Sequence, residues 1–212
     1  MSTKLKIAAA VAAAVLLSAC SSPKHEPMPL VKFTPSMEVT EVWSKGLSSA
    51  EGFLVPAVYD DMVFAAGGKT LTRLNARTGE TEWSVSFNSP ITGGVGSDGY
   101  VTAVGLWDGN LEVVDAEGKV SWEKKLTTEL ASPPVVSHGL VIARTMDTRV
   151  SAFEASSGEL QWTYQRSQPA LTVRLPTRML AHDNFLLVGQ PNGHIVISVS
   201  YTHLTLPTIL LV

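Results

Sequence analysis

Leu74-Asn-Ala-Arg-Thr-Gly79-Glu-Thr-Glu-Trp83 is followed along the chain by two variants of itself. These are Val114-Asp-Ala-Glu-Gly118-Lys-Val-Ser-Trp122 and Phe153-Glu-Ala-Ser-Ser-Gly158-Glu-Leu-Gln-Trp162. Each carries a glycine four residues before a tryptophan, and with Trp43 the tryptophans stand 40, 39 and 40 residues apart. Before each closing stretch comes an opening one: Val55-Pro56-Ala57-Val58, Ser89-Pro90-Ile91 and Ser132-Pro133-Pro134-Val135. Short turn pairs lie between them, at Asp60-Asp61, Asp98-Gly99 and His138-Gly139. Self-similarity at a fixed period of this length indicates a repeat architecture and takes precedence over local pattern.

Asp-Gly and the glycines of the closing stretches supply the positive-φ positions that tight hairpins need. The runs between turns are β-branched or alternating, as in Met62-Val63-Phe64-Ala65 and Leu140-Val141-Ile142-Ala143. After the glycine the alternation has period two, in Trp83-x-Val85-x-Phe87 and Leu160-x-Trp162-x-Tyr164. A proline at the first residue of a strand removes no ladder donor. No stretch after Leu17 repeats at 3.6 residues, so the chain reads as all-β. Four short strands per period of about 40 residues predict a β-propeller of four-stranded blades, each tryptophan burying its ring between neighbouring blades. The competing architecture is an irregular β-sandwich with scattered core tryptophans. Trp107 stands off the beat, and Asp108-Gly109 after it marks a strand-to-turn position.

The N-terminus is set apart from this pattern. Lys4 and Lys6 precede an unbroken apolar run, Ile7–Leu17, too short to span a bilayer as a helix and of signal-peptide length. It leads into Leu17-Ser18-Ala19-Cys20, which matches a bacterial lipobox; Cys20 becomes the first mature residue and the site of lipidation, a palmitate-bearing anchor. The alternative is an ordinary signal peptide with an incidental cysteine. Ser21 follows Cys20 in place of an aspartate, which favours sorting to the outer membrane. The expected layout is therefore a signal peptide over 1–19, a lipid-anchored tether over 20–36 containing four of the 12 prolines, and blades over 37–198. Without Lys4 and Lys6 the 16 basic residues fall to 14 against 19 acidic, and no basic run remains. That excludes the electrostatic footprint of a nucleic-acid binder.

Catalytic chemistry finds little support. Cys20 is the only cysteine, leaving none for a disulfide, a thiolate metal site or a nucleophile. Asp60, Asp61, Asp98, Asp108, Asp115 and Asp147 sit in turns, where aspartate caps its own backbone. His25, His138, His182, His194 and His203 lack ligand spacing, and there is no Gly-x-Ser-x-Gly elbow. No catalytic, metal-binding or cofactor-binding residue is assigned, and no cofactor is expected.

The repeat resembles the tryptophan-docking blade of quinoprotein dehydrogenases and their relatives. It does not resemble the WD40 repeat, which ends in Trp-Asp and opens with Gly-His. A quinoprotein dehydrogenase would imply pyrroloquinoline quinone and calcium in the channel, often under a vicinal cysteine pair that this chain lacks; this is the alternative reading. Lipobox, proline-rich tether and quinoprotein-like blades together resemble the BamB family of outer-membrane protein assembly lipoproteins, as far as residue 198. The resemblance implies an eight-bladed propeller, of which about four blades are present here. It also implies a non-enzymatic scaffold on the periplasmic face of the outer membrane, within the Bam complex. The implied partners are the barrel subunit BamA and the unfolded outer-membrane proteins the complex handles.

The family's BamA contact is a Leu-Ser-Leu-Arg-like segment in an irregular connection. Here Gln168-Pro-Ala-Leu171-Thr172-Val173-Arg174 interrupts the beat, so that Asp183-Asn184 falls 45 residues after His138-Gly139. Leu171, Thr172, Val173 and Arg174 match the segment, with Thr for Ser and Val for the second Leu. Two apolar anchors beside a guanidinium have the composition of an interface hot spot. The alternative is that Leu171 and Val173 face the blade core while Arg174 is solvated.

The pattern breaks again after 198. The next glycine and tryptophan are due at 203 and 207, where His203 and Pro207 stand. Ser200–Val212 resembles the peptide obtained when sequencing-adapter DNA is translated, so 199–212 is expected to be a non-native tail; the alternative is a genuine divergent C-terminus. The family's further acidic BamA contacts would lie beyond this break.

Overall fold

The structure, a computed structural model, describes residues 37, 39–48, 54–165, 177–190, 195–199 and 208–210. The chain divides into two compact units, 1–40 and 41–212, and the second carries the sheets. Its strands form four antiparallel four-stranded meanders. Blade 1 is β1 (Ala57–Tyr59), β2 (Met62–Gly67), β3 (Thr70–Asn75) and β4 (Thr81–Ser86). Blade 2 is β5 (Ile91–Ser97), β6 (Thr102–Leu106), β7 (Asn110–Val114) and β8 (Val120–Lys125). Blade 3 is β9 (Val135–Ser137), β10 (Leu140–Arg144), β11 (Val150–Glu154) and β12 (Leu160–Tyr164). Blade 4 is β13 (Leu180–His182), β14 (Phe185–Gly189), β15 (Ile195–Val199) and β16 (Thr208–Leu210). No helix occurs among the described residues.

The expected turns open the hairpins. His138 and Gly139 both take positive φ (52° and 73°), the requirement of a two-residue hairpin whose twist matches its strands. Asp60 and Asp183 do the same at φ 47° and 48°. Asp98 Oδ1 accepts from the backbone N–H of Tyr100 and Val101, and Asp115 Oδ1 from those of Glu117 and Lys119. These carboxylates are therefore occupied in shaping turns, as their spacing predicts.

Period two places alternate residues of each strand on opposite faces, and the core forms between blades. Val104 and Leu106 of β6 pack toward blade 1 with Phe64, Leu71 and Ile91, while Ala103 packs toward blade 3 with Leu111, Val141 and Phe153. Ile142 and Val150 meet Leu186, Val188 and Val196 of blade 4. The inner strands β1, β5, β9 and β13 are successive neighbours. Their convergence leaves little room: a β-carbon on Gly96 would stand 2.0 Å from Pro134 O, and one on Gly105 2.4 Å from Leu130 Cδ1.

Trp83 and Trp122 tie their blades to the next, and Trp43 docks on blade 1 in the same way. Trp43 Nε1 donates to Ala76 O at 2.9 Å, Trp83 Nε1 to Ala116 O at 2.9 Å, and Trp122 Nε1 to Ala155 O at 2.8 Å. Each indole also lies on the glycine that precedes the next tryptophan by four. β-Carbons at Gly79, Gly118 and Gly158 would stand 2.6, 2.7 and 2.7 Å from the rings of Trp43, Trp83 and Trp122. The same glycines have φ of 72°, 82° and 71°, so one residue type serves both the turn and the approach of the ring. The rings are half-buried, capping the blade interface from its outer edge.

Two places depart from the pattern. Residues 41–48 dock Trp43 on blade 1 as a preceding blade's closing strand would, yet they join no sheet. After residue 199 the expected glycine and tryptophan are missing, but Thr208–Leu210 still pairs with β15 as a fourth strand. An open sheet edge accepts any suitable apolar, β-branched run, so strand pairing survives where the docking motif does not.

Candidate functional site

Of the residues singled out in the sequence, Cys20 and the segment Leu171, Thr172, Val173 and Arg174 lie outside the described residues. The structure instead defines what flanks the segment. β6 begins 40 residues after β2 (62 to 102), β10 begins 38 after β6 (102 to 140), and β14 begins 45 after β10 (140 to 185). The excess falls between β12 and β13, over residues 165–179, against 87–90 and 126–134 for the two earlier blade-to-blade connections. All three connections leave from the end of the fourth strand. The fourth strands end, and the next blades' first strands begin, on the rim that also carries the turns between second and third strands.

That rim is tied down by the turns. Trp107 N–H donates to Pro90 O at 2.8 Å, Leu126 N–H to Gly109 O at 3.0 Å, and Met146 N–H to Glu129 O at 3.1 Å. In blade 3 the turn between β10 and β11 carries Asp147. Burial alone would raise its carboxyl, but hydrogen bonds from Thr145, Thr127 and the Arg149 N–H, with the Arg149 charge, outweigh that and hold it below the ordinary range. Trp107 itself is 61% exposed, as a turn residue off the tryptophan beat should be.

Two arginines stand beside the long connection, and sequence reasoning passed over both. Arg144 ends β10, is 3% exposed, and donates from Nη1 to Thr177 Oγ1 at 2.6 Å. Its Nε is buried and meets no acceptor among the described residues, and burial pushes the guanidinium pKa down. Arg149 donates from Nη2 to Gln165 Oε1 at 2.9 Å. Aligning the second strands would have revealed Arg144. Its cross-strand partner Val150 corresponds to Leu71 and Leu111, whose partners are Ala66 and Gly105.

A second irregular position lies in blade 2. The residue after each tryptophan faces a partner on the third strand: Ser84 opposite Thr72, Glu123 opposite Glu112, and Thr163 opposite Ser151. The hydroxyl pairs in blades 1 and 3 each share a 3.1 Å hydrogen bond. In blade 2 two carboxyls take that place. Burial, reinforced by the charge of Glu123, a hydrogen bond with it and the charge of Asp108, pushes Glu112 up to about 7. Among the described residues no group of three or more His, Cys, Asp or Glu side chains is arranged to hold a metal ion.

Comparisons with known proteins place this arrangement. The family model described as outer membrane protein assembly factor BamB matches residues 39–91 and 67–201. The assembly factor BamB of Burkholderia pseudomallei is 37% identical over 194 residues, covering 89% of this chain and 51% of the relative. That of Bordetella pertussis is 32% identical over 187 residues, covering 85% and 48%. The crystal structure of BamB from Moraxella catarrhalis superposes with a TM-score of 0.64 at 26% identity, covering 72% of this chain and 47% of that one. A computationally designed protein, Ika8, reaches a TM-score of 0.60 at 18% identity and agrees in fold alone. The chain spans about half the length of the curated relatives it matches.

Proposed function

This chain belongs to the BamB family of outer membrane protein assembly factors, and from that premise we propose that it is a non-enzymatic scaffold of the outer-membrane β-barrel assembly machinery. Cys20 carries the lipid that anchors it to the periplasmic face of the outer membrane. Leu171, Thr172, Val173 and Arg174 bind the periplasmic domains of BamA, and the complex assists insertion of unfolded outer-membrane proteins. Residues 1–19, 20–36 and 37–198 act as signal peptide, tether and blades, and 199–212 is a foreign tail.

The observation that supports the binding assignment is the placement of the irregularity. The blades otherwise follow one another at a nearly constant interval, and the one long connection falls between blades 3 and 4, over 165–179. A connection longer than its counterparts on a repeating scaffold is where recognition is usually carried. The test is capture of the purified BamA periplasmic region by the lipid-free chain. A Leu171→Asp, Arg174→Glu variant should lose capture while its unfolding transition stays where it was. Unchanged capture would remove the assignment.

A further inference from the structure

We propose that Arg144 and Arg149 are positioning residues: they grip the two roots of the connection between blades 3 and 4 and so set how its partner-binding segment is presented. The proposal rests on the BamA-binding reading above.

Both arginines belong to one hairpin, Arg144 as the last residue of β10 and Arg149 immediately before β11. What they hold are Gln165 and Thr177, the described residues on either side of 166–176. Arg149 Nη2 reaches Gln165 Oε1 at 2.9 Å on the side leaving blade 3. Arg144 Nη1 reaches Thr177 Oγ1 at 2.6 Å on the side entering blade 4, and Thr177 Oγ1 in turn donates to Gly189 O at 3.3 Å. A single turn of blade 3 thereby fixes both ends of the connection.

The two earlier blades close without arginine at these positions. Ala66 and Gly105 occupy the register position of Arg144, and Thr70 and Asn110 that of Arg149. Those blades are followed by the short connections 87–90 and 126–134; the two arginines occur in the blade followed by the long one. Arg144 has no charge partner among the described residues to offset its burial. It is 3% exposed, makes one hydrogen bond and no ion pair among the described residues, and leaves Nε without an acceptor. A guanidinium stays charged at any physiological pH, and burying one without a counter-charge is unfavourable. Its role is placement.

This makes stability and binding separable. The full chain, the Arg144→Met, Arg149→Gln variant and the Leu171→Asp, Arg174→Glu variant are each titrated with the purified BamA periplasmic region and melted in its absence. Releasing both roots should weaken binding about tenfold, because the fixed attachment points on either side of the segment are lost. The melting temperature should stay level, since the buried charge of Arg144 has no counter-ion among the described residues and the partly exposed Arg149–Asp147 pair at 3.7 Å contributes little. Parent-like binding by the arginine variant, with binding lost in the Leu171 and Arg174 variant, overturns the clamp and leaves the binding site standing. Binding and melting temperature falling together would make the arginines merely structural and also overturn it. If the Leu171 and Arg174 variant binds as the parent does, the site and the clamp both fall.

Discussion

Trp83 rests its indole on Gly118 of the next blade: a β-carbon at 118 would stand 2.7 Å from the ring, and Trp83 Nε1 donates to Ala116 O at 2.9 Å. Gly118→Ala therefore meets two penalties, a left-handed φ of 82° and a displaced ring. Gly139→Ala meets the first alone, since at φ 73° its β-carbon finds only Glu154 Oε1, at 4.0 Å. Urea unfolding should show a loss of about 1 kcal/mol for Gly139→Ala and at least 2–3 kcal/mol for Gly118→Ala. Equal losses would mean that ring and glycine do not bear on each other.

The fourth tryptophan gives an internal contrast. Trp162 Nε1 is buried and finds no acceptor among the described residues, whereas Trp43, Trp83 and Trp122 each find an alanine carbonyl. Replacing Trp83 by Phe removes a made hydrogen bond, at a cost of roughly 1 kcal/mol plus lost ring contact. Replacing Trp162 by Phe removes a donor that has no acceptor among the described residues and should cost distinctly less, or nothing. A Trp162→Phe loss equal to that of Trp83→Phe would show that the indole of Trp162 is docked after all.

The carboxyl pair in blade 2 predicts a pH dependence. Glu112, pushed up to about 7 from an ordinary 4.5, keeps its proton in the folded chain where the unfolded chain has released it. Folded-state proton binding exceeds unfolded between those values, so the contribution of Glu112 to stability is fullest below pH 4.5 and is lost as pH rises through about 7. Glu112→Gln should flatten this decline and add about 1–3 kcal/mol at pH 8, read from urea midpoints across pH. A decline of the same slope in Glu112→Gln would place the titrating group elsewhere.

The division between what sequence did and did not make legible follows from the period. Blades, turns and tryptophan positions recur, and recurrence is visible in one chain; Gly118 and Ala116 are near-invariants of the repeat, so the docking turn stood out even though its hydrogen bond did not. Arg144, Glu112 and Glu123 are departures from the repeat. They occupy positions where the other blades carry Ala66 and Gly105, or Thr72 and Ser84 with Ser151 and Thr163, and only strand register reveals the exchange. β16 is hard to read for the opposite reason: no glycine–tryptophan motif marks it after residue 198, but edge pairing needs neither a motif nor a particular residue.

The lipobox assignment is tested chemically. Cells fed an alkyne-bearing palmitate analogue should label the full chain, and Cys20→Ser should abolish the label and leave the protein soluble in the periplasm. Label that persists in Cys20→Ser would remove the anchor from this account, because Cys20 is the chain's only cysteine.

Site-specific photocrosslinking in intact cells tests directly whether the connection between blades 3 and 4 meets BamA. A photoreactive amino acid is placed at Leu171, and a second copy of the experiment uses Tyr100, which is 73% exposed on a turn of the opposite rim. A light-dependent adduct with BamA is expected from position 171 and none from position 100. Adducts from 100 and not from 171, or from neither, would contradict it.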